Sequence, residues 1–119
     1  MRRALVLLAI GLAASPAAAL PTDFDGDWQV DARTTVGDCE PEIMATVHVQ
    51  DGRVVASDAA DADVAVWGYI EDGGAVSARF TQGPDMLRAS GKLREKAGTG
   101  AWSSNTRYCG GTWTAWRAG

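Results

Sequence analysis

The sequence predicts an all-β fold, an eight-stranded antiparallel up-and-down barrel carrying one disulfide, Cys39–Cys109. Three observations lead there. Apolar and polar residues alternate in short runs through residues 20–119, and apolar residues nowhere keep helical spacing for more than about one turn. Glycine-centred turns separate the runs, with 14 glycines among 119 residues. Short and long connections also alternate, which in a meander sets the long ones at one end, and both cysteines fall in those long connections.

The start of the chain is read separately. Met1-Arg2-Arg3 is a basic opening, Ala4–Ala14 an uncharged apolar run, and Ser15-Pro16-Ala17-Ala18-Ala19 a stretch of small residues. This pattern predicts a secretory signal peptide over 1–19, cleaved after Ala19, and a single β-domain over 20–119. The apolar run is too short to span about 30 Å of hydrocarbon, so no membrane span is expected. No cysteine follows it, which argues against a lipid anchor. The expected location is periplasmic or secreted. Losing Arg2 and Arg3 takes the formal charge from −4 to −6, and a nucleic-acid partner is not expected of so acidic a chain.

In the first strand Trp28, Val30 and Ala32 alternate with Gln29, Asp31 and Arg33. In the second, Ile43, Ala45, Val47 and Val49 alternate with Met44, Thr46 and His48, and Asp51-Gly52 turns the chain into Val54–Ser57. Val64–Ile70 follows, then Glu71-Asp72-Gly73-Gly74 leads into Ala75–Phe80. Leu87, Ala89, Gly91 and Leu93 form one face of the sixth strand, Glu95–Gly98 turns into Thr99–Ser103, and Gly111–Arg117 ends the meander. The long connections are expected at Thr35–Glu42, Asp58–Asp63, Thr81–Asp85 and Ser104–Cys109. Closing the meander makes the first and last strands neighbours and removes exposed sheet edges, which brings Cys39 toward Cys109. In an exported chain of this size the two cysteines read as one staple, and a closed loop of this length is worth about 4 kcal/mol.

Gly26-Asp27-Trp28 opening the first strand, with Arg117 ending the last, resembles the calycin-type barrels: lipocalins, avidins and their bacterial relatives. The resemblance implies that Trp28 closes the barrel at one end and packs on or bonds with Arg117. Across nearly the whole of residues 20–119 the chain is also similar to small exported β-domain proteins of rhizobia and related alphaproteobacteria. That likeness rests on Phe24-Asp25-Gly26-Asp27-Trp28, Ser90-Gly91-Lys92-Leu93, Gly98-Thr99-Gly100-Ala101-Trp102 and Cys109-Gly110-Gly111-Thr112-Trp113. It implies an exported β-domain and carries over no functional residues. A third resemblance is to the periplasmic inhibitor of secreted metalloproteases, also a small barrel opening with Gly-x-Trp. Here the cysteines stand 70 residues apart rather than in the early strands, and Leu20-Pro21-Thr22-Asp23 is not a trunk of small residues.

Catalytic motifs are not found. His48 is the one histidine, expected on the outer face beside Met44, so no Ser/His/Asp arrangement with a nucleophile elbow can be assembled and neither residue is expected to ligate haem. No inward Asp or Glu pair is expected, and Gly98-Thr99-Gly100 precedes a strand rather than a phosphate-cradling helix. Asp58, Asp61 and Asp63 are spaced so that they could hold a hard cation, yet the loop lacks the glycine and closing glutamate of a calcium loop, and a solvated rim is the simpler account. No metal or cofactor is therefore expected, and no enzyme.

The aromatic residues remain. Trp67, Tyr69, Trp102, Asn105, Arg107 and Tyr108 are the candidate contacts at the long-loop end. The expected function is non-catalytic binding there, by a monomer, of a small molecule or another exported protein. Inhibition of a secreted protease through the start of the domain, and a structural envelope role, are the alternatives.

Overall fold

The computed structural model describes residues 21–57 and 64–118; the expected signal peptide and the candidate ligands Asp58, Asp61 and Asp63 lie outside them. Eight strands follow one another: β1 (Gly26–Val36), β2 (Glu42–Gln50), β3 (Arg53–Ser57), β4 (Ala65–Ile70), β5 (Ala75–Gln82), β6 (Asp85–Leu93), β7 (Ala97–Ser104) and β8 (Cys109–Arg117). Each pairs antiparallel with the next, and β1 pairs with β8, so the sheet is a closed barrel in chain order. The register carries the alternation round the wall. Trp28, Val30 and Ala32 stand opposite Val47, Ala45 and Ile43 on one side and Arg117, Ala115 and Trp113 on the other. One face of every strand thereby turns inward together, because side chains alternate between faces with a period of two.

The closed end is built from the chain start and the last strand. Trp28 is 2% exposed and Ile70 fully buried. Indole Nε1 of Trp28 donates to the Phe24 carbonyl at 2.9 Å. The Arg117 guanidinium lies over that indole, 4.8 Å from the ring centroid, and donates to the carbonyls of Asp23, Asp25 and Glu95. The Asp25 carboxylate accepts the backbone N–H groups of Asp51 (2.8 Å) and Gly52 (3.0 Å), tying the β2–β3 turn to the chain start. Both turn residues have positive φ, 55° and 75°, as a two-residue hairpin of this twist requires. Trp28 and Arg117 thus pack against each other at this end of the barrel.

At the other end the disulfide joins Cys39, in the β1–β2 connection, to Cys109, the first residue of β8, with a Cα–Cα distance of 6.0 Å. One expectation for this end is corrected. The connection expected over Thr81–Asp85 is a two-residue turn, Gly83-Pro84, because Gln82 and Asp85 still pair across it. Gly83 takes φ 59° at the first central position and Pro84, lacking an N–H, takes the second, so these residues continue the hairpin rather than interrupt it.

The ladder is uneven. β1, β5, β6, β7 and β8 pair over most of their lengths, whereas among the described residues β3 and β4 pair at Arg53↔Tyr69, supplemented by the Ile70 N–H donating to the Gly52 carbonyl at 2.8 Å. Both contacts lie toward the closed end.

Candidate functional site

The inward side chains do not fill the barrel. Trp28, Val49, Val54, Ile70 and Leu93 form a buried floor. Above it the inward positions of four strands are alanines, Ala32, Ala45, Ala78 and Ala89, and the space they leave is a cavity of about 290 Å³. Val30, Val47, Phe80 and Leu87 complete its apolar wall.

Two tryptophans form the remaining wall with their polar edges already occupied. Trp102 Nε1 donates to the Arg33 carbonyl at 3.2 Å, and Trp113 Nε1 lies 3.2 Å from the carbonyls of both Ser90 and Ala101. An indole N–H facing an empty apolar space would lack a partner, a cost of order 1–3 kcal/mol, and here each is spent on the wall. Room for the Trp113 ring comes from Gly91 and Gly100, paired with each other on β6 and β7. A Cβ at Gly91 would stand 2.6 Å from the Trp113 ring, and one at Gly100 2.5 Å from it. The cavity therefore meets ring faces and aliphatic groups, with no donor directed into its depth from the indoles.

Polar groups gather at the mouth, the disulfide end, where Glu40, Thr81, Gln82, Asp85 and Arg107 line the opening. Arg107 Nη1 lies 3.9 Å from Asp85, both partly exposed. Buried Ser104 sits beneath, its hydroxyl accepting the Arg107 N–H at 3.2 Å and lying 3.1 Å from the Thr106 hydroxyl. These bonds fix the β7–β8 turn that carries Arg107. An apolar body in the barrel with a polar end at this ring is the occupant such a distribution suits.

Of the residues expected to make contacts, the structure brings Trp102 and Arg107 to the cavity. Asn105 and Tyr108 lie in the exposed β7–β8 turn, Tyr108 at 81% exposure and with φ 55°. Trp67 and Tyr69 are on the outer wall, on the face of β4 opposite buried Gly68 and Ile70, as alternation requires, with ring centroids 5.7 Å apart. They lie outside the cavity. Trp113, Trp28 and the small inward alanines line it as well, and the Trp113 indole over a Gly91–Gly100 pair is a signal available once the strand register is known.

The other groups weighed from the sequence lie away from the cavity. His48 Nδ1 is 2.6 Å from Asp27 Oδ1 on the outer face near the closed end, and Met44 is 51% exposed. Arg33 bridges Asp31 (3.1 Å) and Glu42 (3.0 Å); the hydrogen bond to Asp31, then both carboxylate charges, push its pKa above the ordinary value. Among the described residues no group of three His, Cys, Asp or Glu could hold a metal ion, and no helix is long and apolar enough to cross a membrane. The start of the domain runs to the closed end, where Arg117 holds the Asp23 and Asp25 carbonyls, away from the mouth. Compared with known proteins, the chain matches no family model and no curated protein.

Proposed function

We propose that the protein is an exported, non-catalytic binding module that carries a small apolar molecule inside the barrel, its polar end at the ring of Glu40, Gln82, Asp85 and Arg107. The observation that carries this reading is the 290 Å³ apolar cavity whose two tryptophan walls have already committed their N–H groups. A cavity of about 150 Å³ accommodates a benzene, so this one suits a ligand of about two rings or a short branched chain. Apolar lining with a few polar groups at one end is the usual division of labour in small-molecule sites.

The test begins with native mass spectrometry of the protein purified from its own host, before and after denaturation. An added mass of a few hundred daltons at most, released on denaturation, is the expected result. Ala78→Leu and Ala89→Leu place extra methyl groups in the cavity, and they should abolish that mass while the protein stays folded. Retention of the ligand by the double variant would overturn the reading.

A partner chain at the same end is the second reading, supported by Val36 (65% exposed) and Tyr108 (81% exposed) flanking the stapled rim. Large exposed apolar groups beside a rigid rim are the kind of anchor protein interfaces use. On this reading Tyr108→Ala removes a co-purifying chain, and Ala78→Leu leaves it in place.

A further inference from the structure

The outer wall carries a second feature, independent of the cavity. Trp67, Arg79, Arg88 and Ser103 are successive cross-strand partners on β4, β5, β6 and β7, so they form one row on the outside of the barrel. Ser77 and Ser90 pair with each other in the adjoining row, and these residues line a surface groove of about 370 Å³. The Arg79 guanidinium lies 5.6 Å from the Trp67 ring centroid.

Two like charges directly opposite on an antiparallel ladder repel and destabilise the pair. Neither Arg79 nor Arg88 has a carboxylate within salt-bridge distance among the described residues, although acidic side chains outnumber basic ones, 15 to 11, in the chain. The neighbours one step toward the mouth on the same two strands are Thr81 and Met86, which supply no negative charge. Two guanidinia in a groove walled by hydroxyls and an indole therefore lack a counter-charge among the described residues.

We propose that this groove binds the phosphate group of a small organic phosphate monoester. A phosphate monoester carries a charge of about −1.5 to −2 at neutral pH, matching two arginines, whereas a carboxylate offsets only one. Guanidinium forks suit phosphate oxygens, the serine hydroxyls add donors, and the indole face of Trp67, 55% exposed, provides an apolar surface for the organic part.

Calorimetric titration of the folded protein at low ionic strength, with glycerol 3-phosphate and with acetate, tests this. Glycerol 3-phosphate should bind and acetate should bind at least about tenfold more weakly. Arg79→Gln and Arg88→Gln should each weaken the phosphate by roughly tenfold, with unfolding midpoints unchanged or raised because a repulsion is removed. Lowering the pH from about 7.5 to 5.5 should also weaken it, since the ligand gains a proton near pH 6 while the guanidinia stay charged. Absence of binding, equal binding of acetate, or full retention by the Arg79→Gln/Arg88→Gln protein would overturn the proposal. So would capture by phosphatidic acid vesicles with no binding of the free monoester, which would assign the groove to a membrane surface instead.

Discussion

The guanidinium of Arg117 lies over the indole of Trp28, 4.8 Å from its centroid, joining the start of the barrel to its end. The same guanidinium donates to three backbone carbonyls, those of Asp23, Asp25 and Glu95. A planar fork is needed to serve them all while stacked on a ring. Arg117→Lys should therefore lower unfolding stability by about 1–2 kcal/mol, and Arg117→Ala by about 2–4 kcal/mol. Urea midpoints measure both, and equal effects of lysine and alanine would remove the fork from the account.

The disulfide staples a separation of 70 residues at the open end. In the chain-entropy account, the double replacement Cys39→Ser/Cys109→Ser should cost about 4 kcal/mol, less any strain relieved. Because β1 and β8 remain paired through Trp28↔Arg117 to Val36↔Gly110, the variant should keep its β-sheet circular dichroism at low temperature and lose it at a lower melting point. An unchanged melting point would show that the closure, not the staple, holds the rim.

Gly91 and Gly100 leave no space for a side chain: a Cβ there would meet the carbonyl oxygens of Thr99 and Ser90 respectively, and the Trp113 indole just beyond. Gly91→Ala should overpack this contact and cost about 1–3 kcal/mol. The accompanying change in near-ultraviolet circular dichroism reports on the displaced indole. A neutral substitution with an unaltered aromatic spectrum would contradict the packing described.

The cavity and the outer wall are separable by mutation. Trp67→Ala removes an indole that touches Tyr69 and Arg79 but not the cavity, so the affinity for a cavity ligand, or for a fluorescent apolar probe, should not change. Ala89→Leu should lower probe affinity at least about tenfold by filling the space. The opposite ranking in a fluorescence titration would place the ligand on the outside.

How far these features can be read without coordinates depends on which physical signal fixes them. Strand identity and order follow from alternation and from turns such as Asp51-Gly52, and the structure closes the sheet as that pattern requires. The Gly83-Pro84 turn escaped because glycine and proline mark breaks between strands as well as the two central residues of a tight hairpin. In β4 both faces are apolar, Trp67 and Tyr69 against Val66 and Ile70, so hydrophobicity alone cannot choose the inner one. Cross-strand register decides it: Trp67 stands opposite Arg79, and an arginine with no carboxylate partner among the described residues belongs outside. Arg107 was legible at the site because it lies in the last long connection, and Trp102 because it sits near the end of the strand leading into it. The emptiness of the cavity was not, since four alanines are compatible with large neighbours filling the space until the indoles are seen bonded to the wall.

Among the described residues the boundary between β3 and β4 has the fewest paired residues in the closed ring. Thermal fluctuations concentrate where the fewest bonds must break, so the cylinder should part there first, leaving a single curled sheet with β3 and β4 as its two free margins. Amides of β4 on the β3 side should accordingly exchange with deuterium ahead of those between β1 and β8, and uniform protection around the ring would refute this. A parted boundary would open the cavity wall sideways, away from the polar mouth. It would also create, for as long as it lasts, two strand edges able to pair with other chains.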